Sequence, residues 1–341
     1  MATIEPLHQH DIDFAIEKGE VDTFIVAFTD IQGRLQGTRI SAPHYTADVA
    51  SHGTQVPTYL LSVDPEMHAA ASDASTWDSG FGDMILRPDP TAFFRVPWQP
   101  SSVGVLCDLG LPDGSPVAPS PRWVLRRMLQ KVDAAGYLSF VGAEPEFVVF
   151  DEPATDAANH GFRGLTPSTP SGADHSLVAS ARIEPLLSRV RRDMAAVPMG
   201  IEGTTAARAA GQFRIALTPE DPVTTADRLA ILKNAIKVIA GIEGRSATFM
   251  ARYSEDTGSC AHINVSLRGS RGNPAIADRY GDNGLSEIGR AFVSGLVAHA
   301  PETMLLYAPT TNSYRRFAND VFAPTTASWG ADNRSTAFRI F

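Results

Sequence analysis

Cysteine is nearly absent from this chain of 341 residues: only Cys107 and Cys260 occur, far apart and outside any CxxC spacing. That argues against a disulfide framework and points to a reducing compartment, the cytoplasm. Excess positive charge is also lacking. The 29 Lys and Arg face 38 Asp and Glu, for a formal charge of −9. A nucleic-acid or anionic-membrane partner would need the opposite footprint. No apolar run is long enough to span a bilayer. The first residues carry His8, His10, Asp11, Asp13 and Glu17 without a basic stretch leading into an apolar one, so no signal peptide is expected. GxxxxGK[ST], GxSxG and HExxH are missing, so any use of ATP must proceed without a P-loop.

What is present is ordinary for a folded enzyme-sized chain: 43% hydrophobic and 20% charged residues, enough for two domains. VDTFIVAF, a turn at Asp30–Gly33 and a return over Arg34–Ile40 predict a hairpin. A short helix near Pro43–Ser51 and a strand-like QVPTYLLSVD ending at Asp64 follow, then a loop over 65–82. Met84–Leu86 and Val103–Asp108 read as short strands around the proline-punctuated PDPTAFFRVPWQP. A boundary falls in LPDGSPVAPSP, 111–121. Beyond it Ser120, Pro121 and Gly136 delimit a helix with Val124, Leu125, Met128, Leu129 and Val132 on one face. Further helices are expected over about 182–196, 225–242 and 285–298. Strands are expected over Tyr137–Phe150, Gln212–Leu217, Ala247–Ala251 and Ala261–Leu267. Pattern alone gives an α+β fold.

Three strands carry candidate chemistry. In FVGAEPEFVVF, Glu144 and Glu146 lie two apart and share a face, roughly 6.6 Å from each other. They suit either a polar sheet edge or a pair of hard divalent cations. In GSCAHINVSL, alternation puts His262, Asn264 and Ser266 on one face and Ile263, Val265 and Leu267 on the other. In GQFRIAL, Gln212, Arg214 and Ala216 oppose the apolar Phe213, Ile215 and Leu217. Near the end, NSYRRF at Asn312–Phe317 and DNRSTAFRI at Asp332–Ile340 set arginines beside small polar residues. Such a setting suits a phosphate or carboxylate, because guanidinium is permanently charged and forked.

These segments, together with TDIQGRLQG near the start, resemble the motifs of the glutamine synthetase family, in order and over nearly the whole chain. The resemblance implies a small β-grasp-like N-terminal domain (1–112) and a larger catalytic-type domain (113–341) built on an incomplete antiparallel barrel with outer helices. It implies ATP and Mg²⁺ or Mn²⁺ as cofactors and a small carboxylate and amine as partners, joined through an acyl-phosphate. By position in the motifs, Glu144, Glu146 and His262 correspond to metal ligands and Glu202 to a nucleotide-side glutamate. Gly258 corresponds to the glutamate-binding loop and Arg316 to the substrate-carboxylate arginine. Arg334 and Arg339 correspond to phosphate arginines, and Asp64 to an aspartate donated across a subunit boundary. A homo-oligomer, or a mixed oligomer with a full-length synthetase, is therefore expected.

The chain departs from that pattern in four places. Two further metal-ligand glutamates correspond here to Ala207 and Arg214. Alternation aims Arg214 at the expected ion position, where its charge would pair with Glu144 or Glu146 and weaken metal binding. An acidic ammonium ligand corresponds to Phe322, which resembles the branch that γ-glutamylates larger amines. The sequence stops at Phe341, before a stretch that family members carry. Two readings stay open: a ligase joining glutamate, or a similar carboxylate, to an organic amine, or a catalytically impaired homologue serving as a partner subunit.

Overall fold

The hairpin forms as its alternation dictates. Strand β1 (Thr23–Thr29) pairs antiparallel with β2 (Leu35–Ser41) in unbroken register from Thr23↔Ser41 to Thr29↔Leu35. The buried carboxylate of Asp30 closes the turn by accepting from the backbone N–H of Gln32 and of Arg34, both at 2.9 Å. The computed structural model describes residues 7–69, 80–197, 199–255, 258–317 and 323–341. By internal contacts the chain divides into two units. The first comprises Met1–Gln130, Arg189–Gly200 and Pro222–Val238. The second comprises Lys131–Ser188, Ile201–Asp221 and Ile239–Phe341.

In the first unit, β3 (Thr54–Pro57), β4 (Asp83–Arg95) and β5 (Ser102–Gly110) complete a five-stranded sheet of order β2-β1-β5-β4-β3. The β1–β5 pair is parallel and the others antiparallel. Phe24, Val26, Phe28, Met84, Leu86 and Val105 are fully buried in its core, with Phe24 stacked on Tyr45. Two expectations need correction. QVPTYLLSVD gives a strand only to Pro57, and Thr58–Leu61 turns into a 3₁₀ helix. Conversely, β4 runs through the prolines that were expected to break it. Its register shifts between Pro88 and Phe93, and a bulge tolerates residues without an N–H to donate.

Helix α1 (Gln9–Glu17) precedes the sheet, and α2 (Pro121–Ala134) starts and stops where Ser120, Pro121 and Gly136 predict. Gly136 takes φ +85°, the left-handed conformation that ends helices. The apolar face of α2 is only partly turned inward: Leu125, Leu129 and Val132 are half-buried. Val124 and Met128 are 45% and 49% exposed, while Arg122 is buried. The guanidinium of Arg122 reaches Asp89 at 2.6 Å, Asp108 at 2.6 Å and Asp227 at 3.0 Å, and this network decides which side of the helix faces in.

In the second unit, β6 (Tyr137–Phe150), β7 (Ile201–Ala206), β8 (Gln212–Leu217), β9 (Ser246–Thr248) and β10 (Ala261–Gly269) form an open antiparallel sheet of order β10-β6-β8-β7. The short β9 also pairs with β6. Phe147, Phe213 and Ile215 are wholly buried behind it, as alternation predicts. This is the α+β architecture with an incomplete antiparallel barrel. In α3 (Glu184–Ala196), whose residues from Arg189 on belong to the first unit, the predicted stripe Leu186, Leu187, Val190 and Met194 is buried throughout, as is Ile183 just before it. Helix α5 (Glu287–His299) and the parallel pair β11 (Trp329–Ala331) and β12 (Phe338–Ile340) follow, while helix α4 (Pro222–Ile242) belongs to the first unit as far as Val238. Among the described residues no helix is long and apolar enough to cross a membrane.

Candidate active site

Strand register assembles the charged face of the second unit. His262 on β10 lies opposite Glu144 on β6, and Arg214 on β8 lies opposite Glu146. Facing partners in a sheet project to the same side, so all four side chains share one surface. Arg214 Nη1 sits 3.5 Å from Glu144 Oε2, and each side chain is about a quarter exposed. The other Glu144 oxygen accepts from Asn264 Nδ2 at 2.9 Å. The ion pair anticipated for Arg214 is thus present, with Glu144 as its partner.

Glu146 is held differently, by Gln212 from the same face of β8 and by a backbone N–H. Its Oε2 accepts from Gln212 Nε2 at 3.1 Å and from the Cys260 backbone N–H at 2.9 Å. Gln212 is the hub. It also donates to the Gly258 carbonyl at 3.0 Å and accepts from Ala209 N–H at 2.9 Å. It starts β8 immediately after Gly211, which takes φ +68° and packs so tightly that a Cβ would meet Val149 O at 2.6 Å. The available signal was the two-residue spacing of Gln212 and Arg214 on one strand face.

The loop preceding β10 is tied to the arginine motif. Asn312 and Arg252 exchange hydrogen bonds, Arg252 N–H to Asn312 Oδ1 at 2.8 Å and Asn312 Nδ2 to the Arg252 carbonyl at 2.7 Å. Arg252 Nη1 also donates to the Arg315 carbonyl at 2.7 Å. Arg316, next in sequence, has a buried Nε without a hydrogen-bond acceptor. Burial, and then Glu146, push the Cys260 thiol up to about 12, while Arg316 and Arg214 pull it the other way. A neutral thiol is a poor nucleophile at neutral pH.

The remaining expected residues are more scattered. Arg339 on β12 pairs with Asp332, and its own Nε is buried and unsatisfied. Arg334 lies exposed in the turn between β11 and β12, and Glu202 is exposed at the bulge of β7. Asp64 belongs to the first unit. Its Oδ1 accepts from the N–H groups of Glu66 and His68, and these, His68 foremost, hold its carboxyl below the usual range. Its carbonyl accepts from Arg34 Nη1 at 3.0 Å. Phe322 lies outside the described residues.

Against this geometry the chain can be compared with known proteins. The pattern described as "Glutamine synthetase, catalytic domain" matches residues 118–341. The chain belongs to the glutamine synthetase family. A relative in Streptomyces coelicolor, gamma-glutamylethanolamide synthetase GlnA4, is 40% identical over 98% of this chain and 72% of its own length. Glutamate–isopropylamine ligase of a Pseudomonas species is 33% identical over 95% of this chain and 71% of its own. Among solved structures, "Apo GmaS without ligand" superposes with a TM-score of 0.80 at 27% identity, covering 97% of this chain and 73% of that one. Members of the family use ATP and divalent metal ions, bind small-molecule substrates and generally form oligomers.

The donors present here fit a divalent ion poorly. Glu144 is engaged by a guanidinium and an amide, and Glu146 by an amide and a backbone N–H. Among the described residues no three His, Cys, Asp or Glu gather as a metal group would require. An oxygen-loving dication needs free carboxylate lone pairs and no cation beside them.

Proposed function

We propose that the chain is a ligase that joins the side-chain carboxylate of glutamate, or a similar acid, to an organic amine at the expense of ATP. What carries this reading is the likeness, over 98% of the chain, to an enzyme named for making a γ-glutamylamide. The unsatisfied guanidinium atoms of Arg316 and Arg339 support it, since each is a donor waiting for an oxyanion. Arg316 would anchor the substrate carboxylate, and Arg334 and Arg339 the nucleotide phosphates, with Glu202 on the nucleotide side. Gly258, whose carbonyl is held by Gln212, shapes the substrate loop. Glu144, Glu146 and His262 would hold Mg²⁺ or Mn²⁺ weakly at most. Transfer of the γ-phosphoryl group to a carboxylate oxygen releases ADP. Attack of the amine nitrogen on the acyl carbon then expels phosphate and leaves an amide.

Asp64 would serve a neighbouring subunit, the domains dividing as 1–112 and 113–341, and the cysteine usage fits the cytoplasm. Phe322, in place of an acidic ammonium ligand, favours an organic amine. A second reading, a non-catalytic partner subunit, draws on Arg214 and Ala207 standing where the family pattern has metal-ligand glutamates. Coupled ADP release with glutamate, Mg²⁺ or Mn²⁺ and a panel of amines that includes ethanolamine, isopropylamine and ammonium separates the two. Turnover fastest with an organic amine supports the ligase. Turnover fastest with ammonium contradicts the amine assignment, and no ADP from any amine leaves the non-catalytic reading standing.

A further inference from the structure

The sheet of the first unit is closed on one face and hollow on the other. Phe24, Val26 and Phe28 point from β1 into the core beside Met84 and Val105. Ile25 and Ala27 alternate with them and point the opposite way. Register sets Ala27 against Gly37 of β2, a cross-strand pair with one methyl group between the two residues. Phe94 of β4 lies over its own register partner, Gly104, where an added Cβ would sit 2.1 Å from the ring. On the far side, Ile231, Asn234 and Val238 recur at helical spacing and share one side of α4. The low Ala27–Gly37 pair does not fill the space beneath that helix, and a cavity of about 320 Å³ is left, lined by all of these residues except Gly104 and the core-facing ones. That volume lies at the lower end of those that small-molecule sites occupy.

The charge in this cavity has one sign. Among the described residues Arg39, which pairs with Ile25 in the register, lines it, and no Asp or Glu does. The Arg39 guanidinium donates to a neutral acceptor, Gln99 Oε1, at 3.3 Å, which is long for a hydrogen bond. Gln99 is itself fixed by donating to Ser102 Oγ at 3.1 Å. Trp98 is half-buried in the wall, and among the described residues neither its indole N–H nor the Asn234 amide has a hydrogen-bond partner. Three kinds of donor thus stand around apolar walls, one of them permanently cationic. Such a set orients an anionic head and leaves the apolar surface to its body.

We propose that this cavity binds a small organic carboxylate, its charged end on Arg39 and its branched or aromatic body between Phe94 and α4. An amine meets the like charge of Arg39, and a bare inorganic anion leaves the apolar walls without contacts. The site stands apart from the ligase reading, whose arginines all belong to the second unit.

Titration of the whole chain with benzoate and isovalerate, and with benzamide and isovaleramide as their uncharged counterparts, tests it. The readout is the indole N–H NMR signal of Trp98, assigned with Trp98→Phe. At least one acid should move that signal saturably with a dissociation constant of about 1 mM or tighter, and its amide should bind about tenfold more weakly. Arg39→Gln should bring the acid down to the level of its amide, and Arg39→Lys should recover part of the difference. Val238→Trp fills the cavity from a position that is already 37% exposed, so the chain should stay folded and lose the acid. A Trp98 signal unmoved by either acid at about 10 mM, amides that bind as tightly as the acids, or an affinity unchanged in Arg39→Gln or in Val238→Trp overturns the proposal.

Discussion

Two arginine clusters in this molecule use the same chemistry to opposite ends. In the first unit, Arg122 is 7% exposed and touches three aspartates at 2.6–3.0 Å, with Arg126 also on Asp89 at 2.6 Å. In the second, Arg214 is 23% exposed and makes one 3.5 Å contact with Glu144, while Arg316 Nε has no acceptor. The first guanidinium is saturated, so nothing remains for a ligand and its work is to hold α2 in place. The second is under-satisfied. Arg122 has its donors filled from within, whereas Arg214 keeps some of its own open to solvent.

The comparison breaks most visibly at Arg122. Arg122→Ala strands Asp89 and Asp227 in a buried setting and should cost about 3–5 kcal/mol, read as a lowered midpoint in urea unfolding. Next in size is Gly211→Ala, which forces a Cβ into Val149 O at a positive φ beneath Gln212. It should cost about 1–3 kcal/mol by the same measurement.

The aspartates around Arg122 should also differ from one another. Burial raises Asp89, but hydrogen bonds from Thr91 and Arg122 outweigh it and leave the carboxyl below its ordinary range. Burial leaves Asp227 above its range despite its contacts with Arg122. The signs then oppose. The contribution of Asp89 is fully present above about pH 3.9 and is lost as pH falls through its depressed folded value. That of Asp227 grows as pH falls through its raised value. At neutral pH Asp89→Asn should therefore destabilise more than Asp227→Asn, and its acid unfolding should be the less steep of the two. Urea titrations across pH 3–7 check this. The smallest stability effect belongs to the open cluster. Arg214→Gln should shift unfolding by no more than about 1 kcal/mol, as partly exposed single ion pairs do.

How much of this was legible in the sequence depended on what decides each element. β6 and β8 and the buried stripe of α3 follow from alternation and periodicity, because their apolar faces leave one orientation possible. The Arg214–Glu144 pair followed from the same alternation once the strands were set side by side. The orientation of α2 is only partly legible, because Asp89, Asp108 and Asp227, distant in sequence, draw Arg122 inward and leave Val124 and Met128 exposed. β4 was read as broken because proline usually ends strands, yet a bulge absorbed both prolines. The role of Gln212 was invisible for a related reason: its partners Glu146, Gly258 and Ala209 converge only after β6, β8 and the loop before β10 meet.

The central claim is that the guanidinium of Arg122 is closed by its partners and that of Arg214 is open to solvent. Arginine Nε–Hε NMR signals, assigned by single substitutions and followed as their hydrogens exchange with deuterium, test it in one sample. The account predicts that the Arg214 signal is lost well before the Arg122 signal. An Arg122 signal that is lost as fast as that of Arg214 would contradict it.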